Sequence, residues 1–120
     1  MMDDEKKHPI DVKINAMIEK NGSTAGQLQA LDMGYKLWDA ELNKQYKKLF
    51  TKLKGQEREA LTTSQKAWIT FRDREFATIS KIYDKMQGTM YIPMRLWAKV
   101  NLVKQRAQEL TRYVELLNEA

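Results

Sequence analysis

From Leu28 to Leu53 an apolar or aromatic residue returns at every third or fourth position: Leu28, Leu31, Tyr35, Trp38, Leu42, Tyr46, Leu49 and Leu53. A half-buried strand would alternate every second residue, so this spacing fits a helix with one face covered along its length. Steps of three and four sustained this long describe a seam packed against antiparallel neighbours, close to coiled-coil geometry. The stripe predicts a helix from Thr24 to about Lys54, roughly 45 Å long. Thr24, with Gln27 three positions on, reads as a capping box at its start, and Gly55 ends it.

The rest of the chain repeats the pattern. A short helix is expected over Pro9–Lys20, with Ile10, Ile14, Met17 and Ile18 on one side and Asn21-Gly22 as its stop. A third runs from about Gln56 to Met86 or Gln87, striped by Leu61, Gln65, Trp68, Arg72, Phe76, Ile79, Tyr83 and Met86. Thr62-Thr63-Ser64 weakens it, because these hydroxyls compete for backbone hydrogen bonds, and Thr62 with Gln65 would allow a restart there. After Gly88 a fourth spans about Thr89 to Leu117, with Ile92, Leu96, Val100, Val103, Ala107, Leu110, Val114 and Leu117 inward. Five glycines and two prolines leave little turn chemistry for a many-stranded fold. The expected fold is all-α: an antiparallel bundle of three long helices plus a short amino-terminal one. Residues 9–120 form one domain, and residues 1–8 a disordered tail.

There is no cysteine, which removes thiol nucleophiles, disulfides and thiolate metal sites together. No apolar run approaches the ~20 residues needed to span a bilayer. The charged start, Met1-Met2-Asp3-Asp4-Glu5-Lys6-Lys7, contains no signal-peptide core. A net charge of +5 favours anionic partners in a general way.

Polar side chains interrupt the stripes at particular places. Asp39 and Asn43 lie four apart beside Trp38 and Leu42, with Tyr46 further along the same helix. Gln65 and Arg72 bracket Trp68, and Arg106 falls between Val103 and Leu110 with Glu109 and Tyr113 nearby. A buried guanidinium must be paired, since an uncompensated buried charge costs several kcal/mol. Arg72 is therefore expected to meet Asp39 or Asn43 across the second and third helices, with Arg106 completing the polar layer. Such a layer either marks a binding site or fixes helix register.

The same residues carry a family resemblance. Trp38-Asp39-Ala40-Glu41-Leu42-Asn43, with Tyr46 and Leu49 following, resembles the first signature of the LprI-like lysozyme-inhibitor domain family. Gln65-Lys66-Ala67-Trp68-Ile69, then Phe71-Arg72-Asp73 and Glu75, is similar to its second. Gly88-Thr89-Met90 and Arg106-Ala107-x-Glu109-Leu110 resemble its carboxyl-terminal part, and His8-Pro9-Ile10-Asp11 with Ser23-Thr24-Ala25-Gly26 one of its branches. The resemblance runs from about His8 to Leu116. It implies a small helical domain made with an export signal and working in the bacterial periplasm or at the cell surface, with a protein partner such as a lysozyme. That expectation takes the signal to have been removed; a natural start at Met1 or Met2 would instead imply the cytoplasm. Many members carry cysteines where Gln29 and Phe76 stand here, so no disulfide is expected. C-type lysozymes are strongly basic, and a +5 chain meets them against long-range repulsion.

Catalysis is not expected. The single histidine, His8, falls in the predicted tail, and neither Asp39 with Glu41 nor Asp73 with Glu75 shares a helical face. Met86, Met90 and Met94 recur every four residues and carry soft thioethers suited to Cu(I), but Gly88 and Pro93 interrupt the helix, and packing at a turn is the expected role. No metal or other cofactor is expected. Lys44, Lys47, Lys48 and Lys52 form a basic strip, either a solvated face or a contact for an anionic envelope polymer or lipid. Nucleic acid is disfavoured, because no helix-turn-helix, RNP, KH or zinc pattern accompanies the strip.

Overall fold

In a computed structural model that describes residues 7–120, the chain forms four helices: α1 (Pro9–Lys20), α2 (Thr24–Lys52), α3 (Gly55–Tyr83) and α4 (Tyr91–Glu119). No strand occurs among the described residues. Of the predicted tail, residues 1–6 lie outside them. His8 is ordered differently from expectation: its Nδ1 accepts from the Ile10 amide at 3.1 Å and caps α1.

The helix ends show where local chemistry was misjudged. Ser23, not Thr24, caps α2, its hydroxyl accepting from the Gly26 amide at 3.0 Å, while Gln27 reaches back to the Gly22 carbonyl at 2.9 Å. Asn21 Oδ1 in turn accepts from the Ser23 hydroxyl, which orients it. α2 ends at Lys52 because Leu53 and Lys54 turn extended. Arg58 satisfies the exposed end, donating to the Phe50 and Leu53 carbonyls at 3.0 Å with its guanidinium over the Phe50 ring. Gly55 takes φ 57°, a left-handed conformation natural to glycine. α3 does not restart at Thr62; that hydroxyl bonds the Arg58 carbonyl and Ser64 the Leu61 carbonyl, inside a continuous helix. The α3–α4 connection, Asp84–Met90, is longer than the single stop at Gly88 implied.

Three long helices run up, down and up, so α2 and α4 point the same way. These two share by far the largest interface; α1 lies on α2, and α3 rests more lightly on α4. The core is Ala30, Leu31, Trp38, Leu42 and Leu49 of α2 against Val100, Val103, Ala107, Leu110 and Val114 of α4. Ile10 and Ile14 of α1 and Leu61 of α3 complete it. α2 and α3, although consecutive, seldom bring their backbones close and meet through side chains such as Tyr35 and Phe76. The main seam therefore joins parallel helices, not antiparallel neighbours. The α2 stripe shifts accordingly: Gln45 is buried where Tyr46 was expected, and Tyr35, Tyr46 and Leu53 are half-buried.

α1 is seated through a notch. A Cβ at Gly34 would fall on Ile14 Cδ1 and press on Cγ1, so the absent side chain is what admits Ile14. Gly34→Ala is expected to destabilise the fold by about 1–3 kcal/mol in urea unfolding. Adding Ile14→Val, which deletes Cδ1, should recover much of that loss; an unaffected single variant would show that α1 is not held there.

Candidate functional site

The eight residues of the predicted polar cluster divide into three sets. Gln65, Trp68 and Arg106 come together across α3 and α4. Arg106 Nε donates to Gln65 Oε1 at 3.0 Å and its Nη1 pairs with Glu109 at 2.7 Å. The Arg106 side chain is only 10% exposed, and its polar contacts are with Gln65 and Glu109, not with Arg72, Asp39 or Asn43. Its partners are an amide and a half-exposed carboxylate, enough to satisfy a guanidinium at a groove edge.

Arg72 and Asp73 form the second set. The expected bond from Arg72 to Asp39 or Asn43 does not occur; Arg72 Nε and Nη2 instead donate to Asp73 Oδ1 at 3.0 and 2.9 Å. Arg72 is partly covered, its side chain 22% exposed, with its guanidinium 5.6 Å from the Trp68 ring centre. Asp39, Asn43 and Tyr46 stay on α2, Asn43 exposed and Tyr46 against Phe50. Asp39, Arg72 and Asp73 do share the neighbourhood of Tyr35. Burial raises the Tyr35 pKa above its ordinary 10.0; Arg72 opposes this, while Asp39 and Asp73 add to it.

The groove bounded by Trp68 and Phe71 on one side and Leu102, Arg106, Glu109 and Arg112 on the other encloses about 370 Å³. Phe71 is half exposed, and Arg112 pairs with no carboxylate among the described residues. Aromatic rings beside arginine in a shallow cleft are the side chains that dominate protein–protein hot spots. The groove holds no nucleophile–base pair. Nor does any group of acidic or histidine side chains able to hold a metal occur among the described residues.

One cluster was missed in the sequence. Asp11 of α1 accepts from Trp38 Nε1 at 3.1 Å and pairs with Lys104 of α4. The His8 ring lies 4.4 Å from that of Trp38, and the Lys104 ammonium sits near both Trp38 and Trp97. Asp11 and Lys104 are 93 positions apart; each stands next to a stripe residue, Ile10 or Val103, which is the only hint the sequence offers. The lysine strip, Lys44, Lys47, Lys48 and Lys52, is exposed on α2. Met86, Met90 and Met94 are exposed as well, so the expected packing role at the turn fails for all three.

These geometries yield two expected outcomes. Arg72→Met should change stability by no more than about 0.5 kcal/mol, since it breaks only a pair with the exposed Asp73 carboxylate next to it and methionine keeps the packing of the apolar stem. Arg106→Met should cost about 1–3 kcal/mol by leaving Gln65 without its donor; equal losses would contradict the assignment. Tyr35 sets an alkaline limit. Its folded-state pKa is raised, so its contribution is complete below pH 10 and declines as pH rises beyond that. Tyr35→Phe should flatten the loss of thermal stability above pH 10; a variant with the same alkaline slope would exclude Tyr35 as its cause.

Residues 17–110 match a family model described as lysozyme inhibitor LprI. The fold is similar to a crystal structure of an uncharacterized protein from Burkholderia thailandensis, at 27% identity and a TM-score of 0.87, over 94% of this chain. The match takes in 57% of that protein, so the chain spans a little over half its length. No curated protein matches.

Proposed function

Since the chain belongs to the lysozyme inhibitor LprI family, we propose that it is an exported protein-binding module of the bacterial envelope whose target is a lysozyme, gripped at the α3–α4 groove. The observation that carries this reading is the half-exposed Phe71 beside Trp68, Arg106 and Arg112. Such anchors supply large, rigid contact area, and the ordered Arg106–Gln65 bond means little freedom is lost on binding. The elements that form the groove, α3 and most of α4, lie within the matched residues.

Net charge decides which contact geometry is favourable. A +5 chain is repelled at long range by a basic lysozyme, so affinity must come from short-range contact in the groove. A glycosidase centre, however, carries a pair of carboxyl groups, and an arginine-bearing groove complements an acidic rim there. Raising the ionic strength should then speed association while leaving dissociation nearly unchanged. The lysine strip lies on another helix and is the face a polyanionic polymer would meet; it serves as the internal control.

The test is inhibition of C-type and other lysozymes by the purified chain, with binding followed in parallel. Phe71→Ala and Arg112→Ala should each weaken inhibition about 10- to 30-fold, as hot-spot truncations do. Replacing the four strip lysines by glutamine should not weaken it and, by relieving the long-range repulsion, should speed association. Absence of binding to every lysozyme tested would end the proposal, and loss confined to the strip variant would move the site to α2.

A further inference from the structure

Twelve large hydrophobic side chains are exposed among the described residues, and six of them fall between positions 82 and 97. They are Ile82 in the last turn of α3, Met86 and Met90 in the connection, and Ile92, Met94 and Trp97 at the start of α4. Met90 is 63% exposed. A monomer seldom gathers this many exposed apolar side chains at one end unless something covers them. The α1–α2 turn lies at the same end, because Ile18 and Gln27 line one groove together with Met90.

We infer that this end of the bundle docks on an anionic lipid surface, with the α3–α4 connection leading. This goes beyond the lysozyme reading and does not depend on it. Charge is the first argument. Asp84 is neutralised by Arg95 at 2.9 Å, which leaves Lys20, Lys81 and Lys85, all exposed, against Glu19 alone. The three lysines pair with no carboxylate among the described residues. Exposed ammonium groups beside exposed apolar side chains complement lipid phosphates and the acyl chains beneath them.

Depth is the second argument. Trp97 stands six residues beyond Tyr91, about 9 Å below the start of α4. Interfacial segments bury roughly 5–10 Å into the headgroup boundary. With the methionines leading, Trp97 comes to the headgroup level that indole rings favour. Methionine side chains are flexible enough to pack among disordered acyl chains. No helix among the described residues is long and apolar enough to cross a membrane, so the contact is with one surface.

The full chain should sediment with vesicles of phosphatidylcholine mixed with phosphatidylglycerol and not with phosphatidylcholine alone. Its tryptophan emission should shift to the blue on binding, and Trp97→Phe should abolish the shift. Met86→Ser with Met90→Ser should lower partitioning about tenfold or more. Lys81→Gln with Lys85→Gln should lower it roughly 30-fold. Circular dichroism of each variant would verify that the helices persist. Phe71→Ala and the four-glutamine strip variant should bind vesicles like the parent, which separates this surface from the groove and from α2. The proposal is overturned if anionic vesicles are not bound, if the tip variants bind as well as the parent, or if the tip instead mediates self-association of the chain.

Discussion

The parallel packing of α2 on α4 is the contact from which every other feature hangs. Ala30 and Ala107 place little bulk between the helices, and Val100, Val103 and Leu110 are wholly shielded from solvent there. Small residues at a helix crossing let backbones approach, and branched ones fix the approach with few rotamers to lose. Trp38 and Leu42 extend the seam, and Leu49 with Val114 closes its far end. α1 and α3 attach to this pair from outside. α1, at 12 residues, could not stand alone, since isolated helices so short are marginal in water.

The two attachments differ in kind. α1 is short but well tied: Ile14 enters the Gly34 notch, and Asp11 joins Trp38 to Lys104. α3 is long but lightly held, with only Leu61 and Gln65 buried. Its polar layer, Arg106 with Gln65 and Glu109, supplies direction more than adhesion, because a buried guanidinium tolerates only an arrangement that satisfies it. Arg106 and Glu109 of that layer also line the groove between the two helices. The candidate binding surface is thus the by-product of a helix that packs incompletely, with Phe71 the side chain left uncovered.

Much of this was legible residue by residue. Steps of three and four gave four helices within a few residues, and Arg106, a charge between Val103 and Leu110, is answered by Gln65 and Glu109. Arg72 was read by the same rule and wrongly, since its flanking Trp68 and Phe76 are themselves only half covered. Periodicity reports which face of a helix is apolar; it is silent on how much of that face another helix covers. The methionines at 86, 90 and 94 failed in the same way, as residues apolar enough for a core yet placed where no core exists.

What the chain's order of residues determined by itself was local: helix after helix, their stops, and the identity of the stripes. These follow from backbone geometry and from interactions no more than four positions apart, which any window of sequence contains. The tertiary structure alone decided which stripes meet. It put α2 against α4 in preference to its neighbour α3, joined Asp11 to Lys104 across most of the chain, and left Phe71 and the α3–α4 connection uncovered. Those outcomes depend on the shape complementarity of whole faces, where a missing methyl at Gly34 counts as much as a charge, and shape of that kind is a property of the assembled surfaces.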